Sequence, residues 1–234
     1  MRFPSARLRW NISSLFYRYS YIGLARQLDD ELFEFLGSRV EGGVVVDCGC
    51  GPGLVTEGFV KRGAGQVIAI DENPAMLRQT RSRLTAAIDS GKVTLVHSDF
   101  YDWFTANLHQ RFQLGDAFDV ILFKRSLYLG RQRALRLLQT AATFLKPNAV
   151  LAVIHPDRSL LRYAFGPGLR LMPYTPFHLF NRVVSQLGAR LRIGEYSLFT
   201  PPELLSLARE AANGREVDNI PSRQRAYNLV AIVN

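Results

Sequence analysis

The chain has 234 residues, 47% of them hydrophobic, enough for one domain with a sizeable core. Lys and Arg number 29 against 20 Asp and Glu, a formal net charge of +9 that favours anionic membranes, nucleic acids or acidic substrates without choosing among them. No apolar run approaches the roughly 20 residues that span a bilayer, and no internal repeat or low-complexity tract is present.

Along the chain, Leu8, Ile12, Leu15, Tyr19 and Ile22 recur at alternating spacings of four and three, which predicts an amphipathic helix over residues 8–28. Arg7, Arg9, Arg18 and Arg26 flank it, and the first three interrupt any signal-peptide core. Residues 44–56 read Val-Val-Val-Asp-Cys-Gly-Cys-Gly-Pro-Gly-Leu-Val-Thr: a β-branched run closed by Asp47, then a glycine-rich turn. Gly49, Gly51 and Gly53 carry no Cβ where a ligand must approach the backbone, and residues 54–62 have helical spacing up to Gly63. A strand, loop and helix N-terminus of this kind marks a site for a nucleotide-like cofactor. The dinucleotide spacing G-x-G-x-x-G fails, since its third glycine would fall at Leu54 or at Thr56; the pattern is D-x-G-x-G-x-G.

Residues 67–71, Val-Ile-Ala-Ile-Asp, form a second predicted strand ending in a carboxylate, after which Asn73 and Pro74 start a helix as N-cap and N1, with Met76 and Leu77 in its first turn. Residues 93–96 are a third strand leading into His97, Ser98, Asp99 and Phe100. Residues 118–123 are a fourth, followed by Lys124, Arg125, Ser126 and Tyr128. Residues 145–155 read as a helix end, a turn and a fifth strand that brings His155 to the ligand edge of the sheet. From about 156 to 199, six arginines are interleaved with Leu, Phe, Tyr and Pro, a segment too long for a plain connection, read either as a solvated face or as an interfacial lid. Thr200-Pro-Pro-Glu203 is a capping box opening a helix through about Ala212, and residues 217–220 and 227–233 are predicted to pair as a closing hairpin. The only cysteines, Cys48 and Cys50, are too close for an ordinary disulfide and too few for a zinc site; they read as compact buried residues.

In order and spacing, these segments resemble the class I S-adenosylmethionine-dependent methyltransferases across about residues 40–155 and 200–234. The resemblance implies an α/β fold: a doubly wound, mostly parallel seven-stranded sheet with an antiparallel closing hairpin and helices on both faces. It divides the chain into an N-terminal amphipathic cap (1–39), a Rossmann-like core (40–155), a substrate lid (156–199) and a C-terminal helix with the hairpin (200–234). It implies S-adenosyl-L-methionine as cofactor, held by Asp47, Gly49, Cys50, Gly51 and Gly53 of the loop, by Asp71 at the ribose hydroxyls, and by Glu72 and Met76. Asp99 would take the adenine amino group beside Phe100, which packs the ring, and Lys124 would border the cofactor or clamp a substrate anion.

The expected reaction is methyl transfer to a small-molecule acceptor, lipophilic or anionic. Much of the catalysis can come from holding the nucleophile in line, and His155 is the candidate base if the nucleophile is a hydroxyl, with a core histidine as its competing reading. Phe-Lys-Arg-Ser after the fourth strand is not the Asn-Pro-Pro-Tyr type associated with amino groups of bases or glutamine, and no cysteine follows the fourth or fifth strand to support covalent attack on a pyrimidine. The alternatives are a nucleic-acid methyltransferase or binder, prompted by the basic balance, and a non-catalytic cofactor-binding protein. The expected location is cytoplasmic, with peripheral contact to an anionic membrane left open; no metal is expected.

Overall fold

The computed structural model describes residues 24–106, 117–156, 199–221 and 227–234. The amphipathic pattern over residues 8–23 and the arginine-rich segment 157–198 lie outside the described residues. The first described element is a helix that carries no sequence motif, α1 (Leu24–Leu36), ending in a short 3-10 turn.

Strand and helix then alternate: β1 (Val44–Cys48), α2 (Leu54–Lys61), β2 (Gln66–Asp71), α3 (Pro74–Arg83), α4 (Thr85–Asp89), β3 (Val93–His97), α5 (Phe100–Thr105), β4 (Phe118–Lys124), α6 (Arg131–Ala142) and β5 (Leu145–Pro156). The chain closes with α7 (Pro201–Ala212), β6 (Glu216–Pro221) and β7 (Tyr227–Val233). All seven strands form one sheet in the order β3-β2-β1-β4-β5-β7-β6. The first five run parallel, whereas β7 pairs antiparallel with both β5 and β6, so the expected closing hairpin is present.

The apolar runs explain why this sheet is covered on both faces. Successive side chains of a strand point to opposite faces. Val46 and Cys48 of β1 accordingly join Ile68, Ile70, Ile121 and Phe123 against α5, α6 and α7. Val45, Val67, Val120 and Leu122 pack on the other face against Leu32 and Leu36 of α1 and Phe59 of α2. Beneath the carboxyl edge lies an aromatic cluster: Phe100 meets Phe123 edge to face at 5.6 Å, and Trp103 meets Phe104 at 4.8 Å. Such pairs contribute about 0.5–1.5 kcal/mol beyond their area, which makes the floor under this edge stiff.

The turn expected before the fifth strand is absorbed into it. Leu145 pairs with Phe118 and Val150 with Val120, so β5 spends more residues than β4 between the two pairings. Asn148 takes up the excess at φ 64°, a left-handed conformation that asparagine tolerates, and its amide donates to the Asn234 carbonyl at 2.7 Å.

The capping box forms as the sequence requires: the Thr200 amide donates to Glu203 Oε2 at 2.7 Å and the Glu203 amide to Thr200 Oγ1 at 3.4 Å. Helix α7 buries Leu204, Leu207, Ala208 and Ala211 against the sheet. Thr200→Ala is therefore expected to destabilise the domain by about 1 kcal/mol, read as a lower urea midpoint with an unchanged m-value.

Candidate functional site

The carboxyl ends of β1, β2 and β4 open into one cleft, at the point where the strand order reverses between β1 and β4. Gly49, Gly51, Asp71, Glu72, Asn73, Met76, Phe100, Lys124, Arg125, Ser126 and Tyr128 line a space of about 620 Å³, part of it open to solvent.

The three glycines of the turn divide their work. All have positive φ, 75° at Gly49, 55° at Gly51 and 77° at Gly53. A Cβ on Gly49 would lie 2.5 Å from Ser126 Cβ, and one on Gly53 would lie 2.6 Å from Thr80 Cγ2. Those two are glycines because the protein itself approaches them. At Gly51 a Cβ would meet nothing within 4 Å, so this is the position whose open side faces the cleft.

Asp71 locks the turn in place. Its Oδ2 accepts the Gly51 amide and its Oδ1 the Asn73 amide, each at 2.8 Å. Burial pushes its carboxyl up while these two amides oppose the shift. Asn73 in turn caps α3 by accepting the Ala75 amide at 2.8 Å, which points Met76 into the cleft wall.

On the opposite wall, Lys124 ends β4 at 8% exposure and is ion-paired to Asp29 of α1. Burial pulls its ammonium down, and Asp29 opposes this. The next residue, Arg125, has φ 57°, a conformation sparsely populated by long side chains. Its amide donates to the Ile154 carbonyl at 2.8 Å, which holds the strained residue at the cleft wall.

Gly49, Gly51, Asp71, Glu72, Met76, Phe100 and Lys124 line this one cleft, and the other residues singled out in the sequence lie off its wall. Asp47 is buried beneath the turn and accepts the Thr56 hydroxyl at 2.7 Å, so it braces β1 against α2. Cys50 and Cys48 are free, buried thiols, and burial pushes both well above the ordinary thiol range. Gly53 serves the packing of Thr80. Asp99 caps α5, accepting the Tyr101 amide at 2.8 Å, and is not on the cleft wall. His155 is fully buried: its Nε2 accepts the Phe199 amide at 3.1 Å, and its ring packs between Tyr128 and Phe199 at 5.7 and 5.4 Å. In this placement the ring packs in the core behind Tyr128. Asn73, Arg125, Ser126 and Tyr128 are wall residues that the sequence did not single out for the cofactor, although their position after strands 2 and 4 was the available signal. Asp29 carried no signal, since nothing in its neighbourhood forms a motif. Among the described residues there is no cluster suited to a metal ion, and no helix is long and apolar enough to cross a membrane.

Residues 45–148 match the family profile described as a methyltransferase domain. No curated protein matches the chain. Among solved structures, an O-methyltransferase family protein from Burkholderia thailandensis superposes with a TM-score of 0.65 at 17% identity, covering 94% of this chain and 59% of that one. The chain therefore spans less than two thirds of that relative. Magnesium protoporphyrin IX methyltransferase from Synechocystis PCC 6803, solved with S-adenosylhomocysteine, gives 0.58 at 16% identity, covering 90% of this chain and 83% of that one. A 1,6-didemethyltoxoflavin-N1-methyltransferase from Burkholderia thailandensis gives 0.58 at 18% identity, covering 98% and 88%. At these identities the likeness is one of fold.

The buried Asp47 makes a pH prediction. Its carboxyl is raised by burial from 3.8 to about 6, so the folded state holds the proton more tightly than the unfolded chain. Stability present below about pH 4 is therefore lost as pH rises through about 6. Asp47→Asn, which keeps an acceptor for Thr56, is expected to gain on the parent across that window, by up to about 3 kcal/mol at pH 7 in urea unfolding. A difference that stays flat with pH would refute the assignment.

Proposed function

Starting from a methyltransferase domain on a class I sheet, we propose that the chain is an S-adenosylmethionine-dependent methyltransferase acting on a small-molecule acceptor. The polarity of the cleft carries the reading. A carboxylate, Asp71, stands at the β2 end and an ammonium, Lys124, at the β4 end, with the open side of Gly51 and the apolar walls of Met76 and Phe100 between them. A ligand with ribose hydroxyls at one end, an amino-acid carboxylate at the other and a purine to one side matches that distribution.

In this reading Asp71 accepts the ribose hydroxyls beside Glu72, Met76 and Phe100 pack the purine, and Lys124 takes the carboxylate as a charge-assisted donor. When bound, the cofactor supplies an electrophilic methyl on a sulfonium sulfur. The chain's part is then to hold an acceptor in line and to exclude water, which needs no obligatory catalytic side chain. Arg125, Ser126 and Tyr128 form the part of the wall that the cofactor roles leave over, and they are assigned to the acceptor. The acceptors named for two fold neighbours, magnesium protoporphyrin IX and 1,6-didemethyltoxoflavin, are themselves small molecules, which supports the same class here.

The test is calorimetric binding of S-adenosylhomocysteine, followed by transfer of labelled methyl groups into a cell extract separated into organic, aqueous small-molecule and macromolecular fractions. Label in either small-molecule fraction is expected. Label in macromolecules would overturn the acceptor class, and absence of binding would overturn the cofactor. Asp71→Ala is expected to weaken cofactor binding by roughly 2–4 kcal/mol, since it removes the acceptor and loosens the amides of Gly51 and Asn73. Unchanged affinity in the folded variant would refute the role of Asp71.

A further inference from the structure

We propose that Asp29 is a positioning residue of this cleft: from α1, outside the matched domain, its carboxylate fixes the Lys124 ammonium and keeps it charged for the cofactor carboxylate. The inference rests on the cofactor reading above. Its starting point is the ion pair itself, which joins residues 95 apart in the chain and brings a helix with no sequence motif to the cleft wall.

The position of that carboxylate is set by packing. Leu32 and Leu36, three and seven residues after Asp29, are fully buried against the sheet, so Asp29 lies on the same face of α1 as the residues that anchor the helix. Seating α1 therefore delivers Asp29 to the end of β4. Lys124 needs it there. An ammonium with only 5% of its side chain exposed tends to give up its proton unless a partner compensates the lost hydration.

Among the described residues, charged groups surround Lys124 from α1, β1, its own loop and the end of β2. Asp29 faces it from α1 and Asp47 from β1; Arg125 lies beside it in its own loop; Asp71 and Glu72 lie across the cleft at the end of β2. Arg125 opposes the ammonium, and Asp47 is itself protonated in part near pH 6. Asp71 is committed to two backbone amides. Asp29 is in direct hydrogen-bonding contact with the ammonium.

The experiment measures S-adenosylhomocysteine affinity from pH 6.5 to 9 in the parent chain, Asp29→Asn, Asp29→Glu, Lys124→Arg and the double variant Asp29→Asn with Lys124→Arg. Asparagine preserves shape and an acceptor but removes the charge. Asp29→Asn is expected to bind about tenfold more weakly than the parent at pH 8.5, with the gap widening as pH rises, because the buried amine deprotonates earlier. Lys124→Arg in the Asp29→Asn background is expected to flatten that dependence, since a guanidinium stays charged. Asp29→Glu is expected to stay nearer the parent than Asp29→Asn. Affinity and pH profile of Asp29→Asn equal to the parent would overturn the proposal, as would a loss that is uniform in pH and indifferent to Lys124→Arg, the mark of a purely structural residue. Should circular dichroism show that Asp29→Asn does not fold, Asp29→Ser, which also removes the charge, takes its place: a loss of affinity that grows with pH supports the proposal, and a profile equal to the parent's overturns it. Failure of the parent to bind would remove the cofactor reading and this proposal together, whereas binding by the parent with an unaltered Asp29→Asn removes this proposal alone.

Discussion

The cleft depends on one carboxylate. Asp71, at the end of β2, accepts the amides of Gly51 and Asn73, so a single side chain fixes both the glycine turn after β1 and the first turn of α3. Without it, three left-handed glycine positions in one short turn would have little to hold them against the entropy that glycine gains in a free chain. The cost is a charge taken out of water, visible in the upward push on its own carboxyl. Two charge-free donors offset that cost while leaving the group an acceptor, which is the state a ligand hydroxyl requires.

The rest of the site is arranged around this fixed edge by ordinary packing. β4 ends opposite Asp71 because the strand order reverses beside β1, and the reversal leaves a crevice that no crossover helix fills. Phe100 and Phe123 stiffen the floor edge to face, and His155 supports Tyr128 from behind. Asp47 and His155, which look chemical in the sequence, also hold walls in position. Asp47 Oδ2 accepts the Thr56 hydroxyl and His155 Nε2 the Phe199 amide.

This division explains which features were legible in the sequence. Buried strands announce themselves because both faces of a parallel sheet are covered, so residues 67–71 and 118–123 could be read from composition alone. Caps were equally clear: Asn73 with Pro74, and Thr200 with Glu203, are local devices whose partners lie within three residues. The order of these elements gave the sheet and the cleft. Contacts across sequence distance were not legible. The clash that makes Gly49 a glycine involves Ser126, and the acceptor for the Thr56 hydroxyl is Asp47 on the preceding strand. Asp99 adds a local role that motif order alone does not show, since its Oδ1 accepts the amide of Tyr101 two residues on. Motif order locates a strand end; which way its side chain turns is decided by the nearest unsatisfied donor.

The same division bears on where such a domain begins. The matched segment starts within β1, yet the charge balance of its cleft is completed by a helix that precedes it. A sheet shared with solved structures at 16–18% identity is a likeness of fold and leaves open the charges that surround its edge. A lysine carried alone at the end of β4 would face the choice of any buried amine, to find an anion or lose its proton. Because α1 is anchored by Leu32 and Leu36, it supplies that anion at a fixed height above the strand, and the segment outside the core becomes part of the electrostatics inside it.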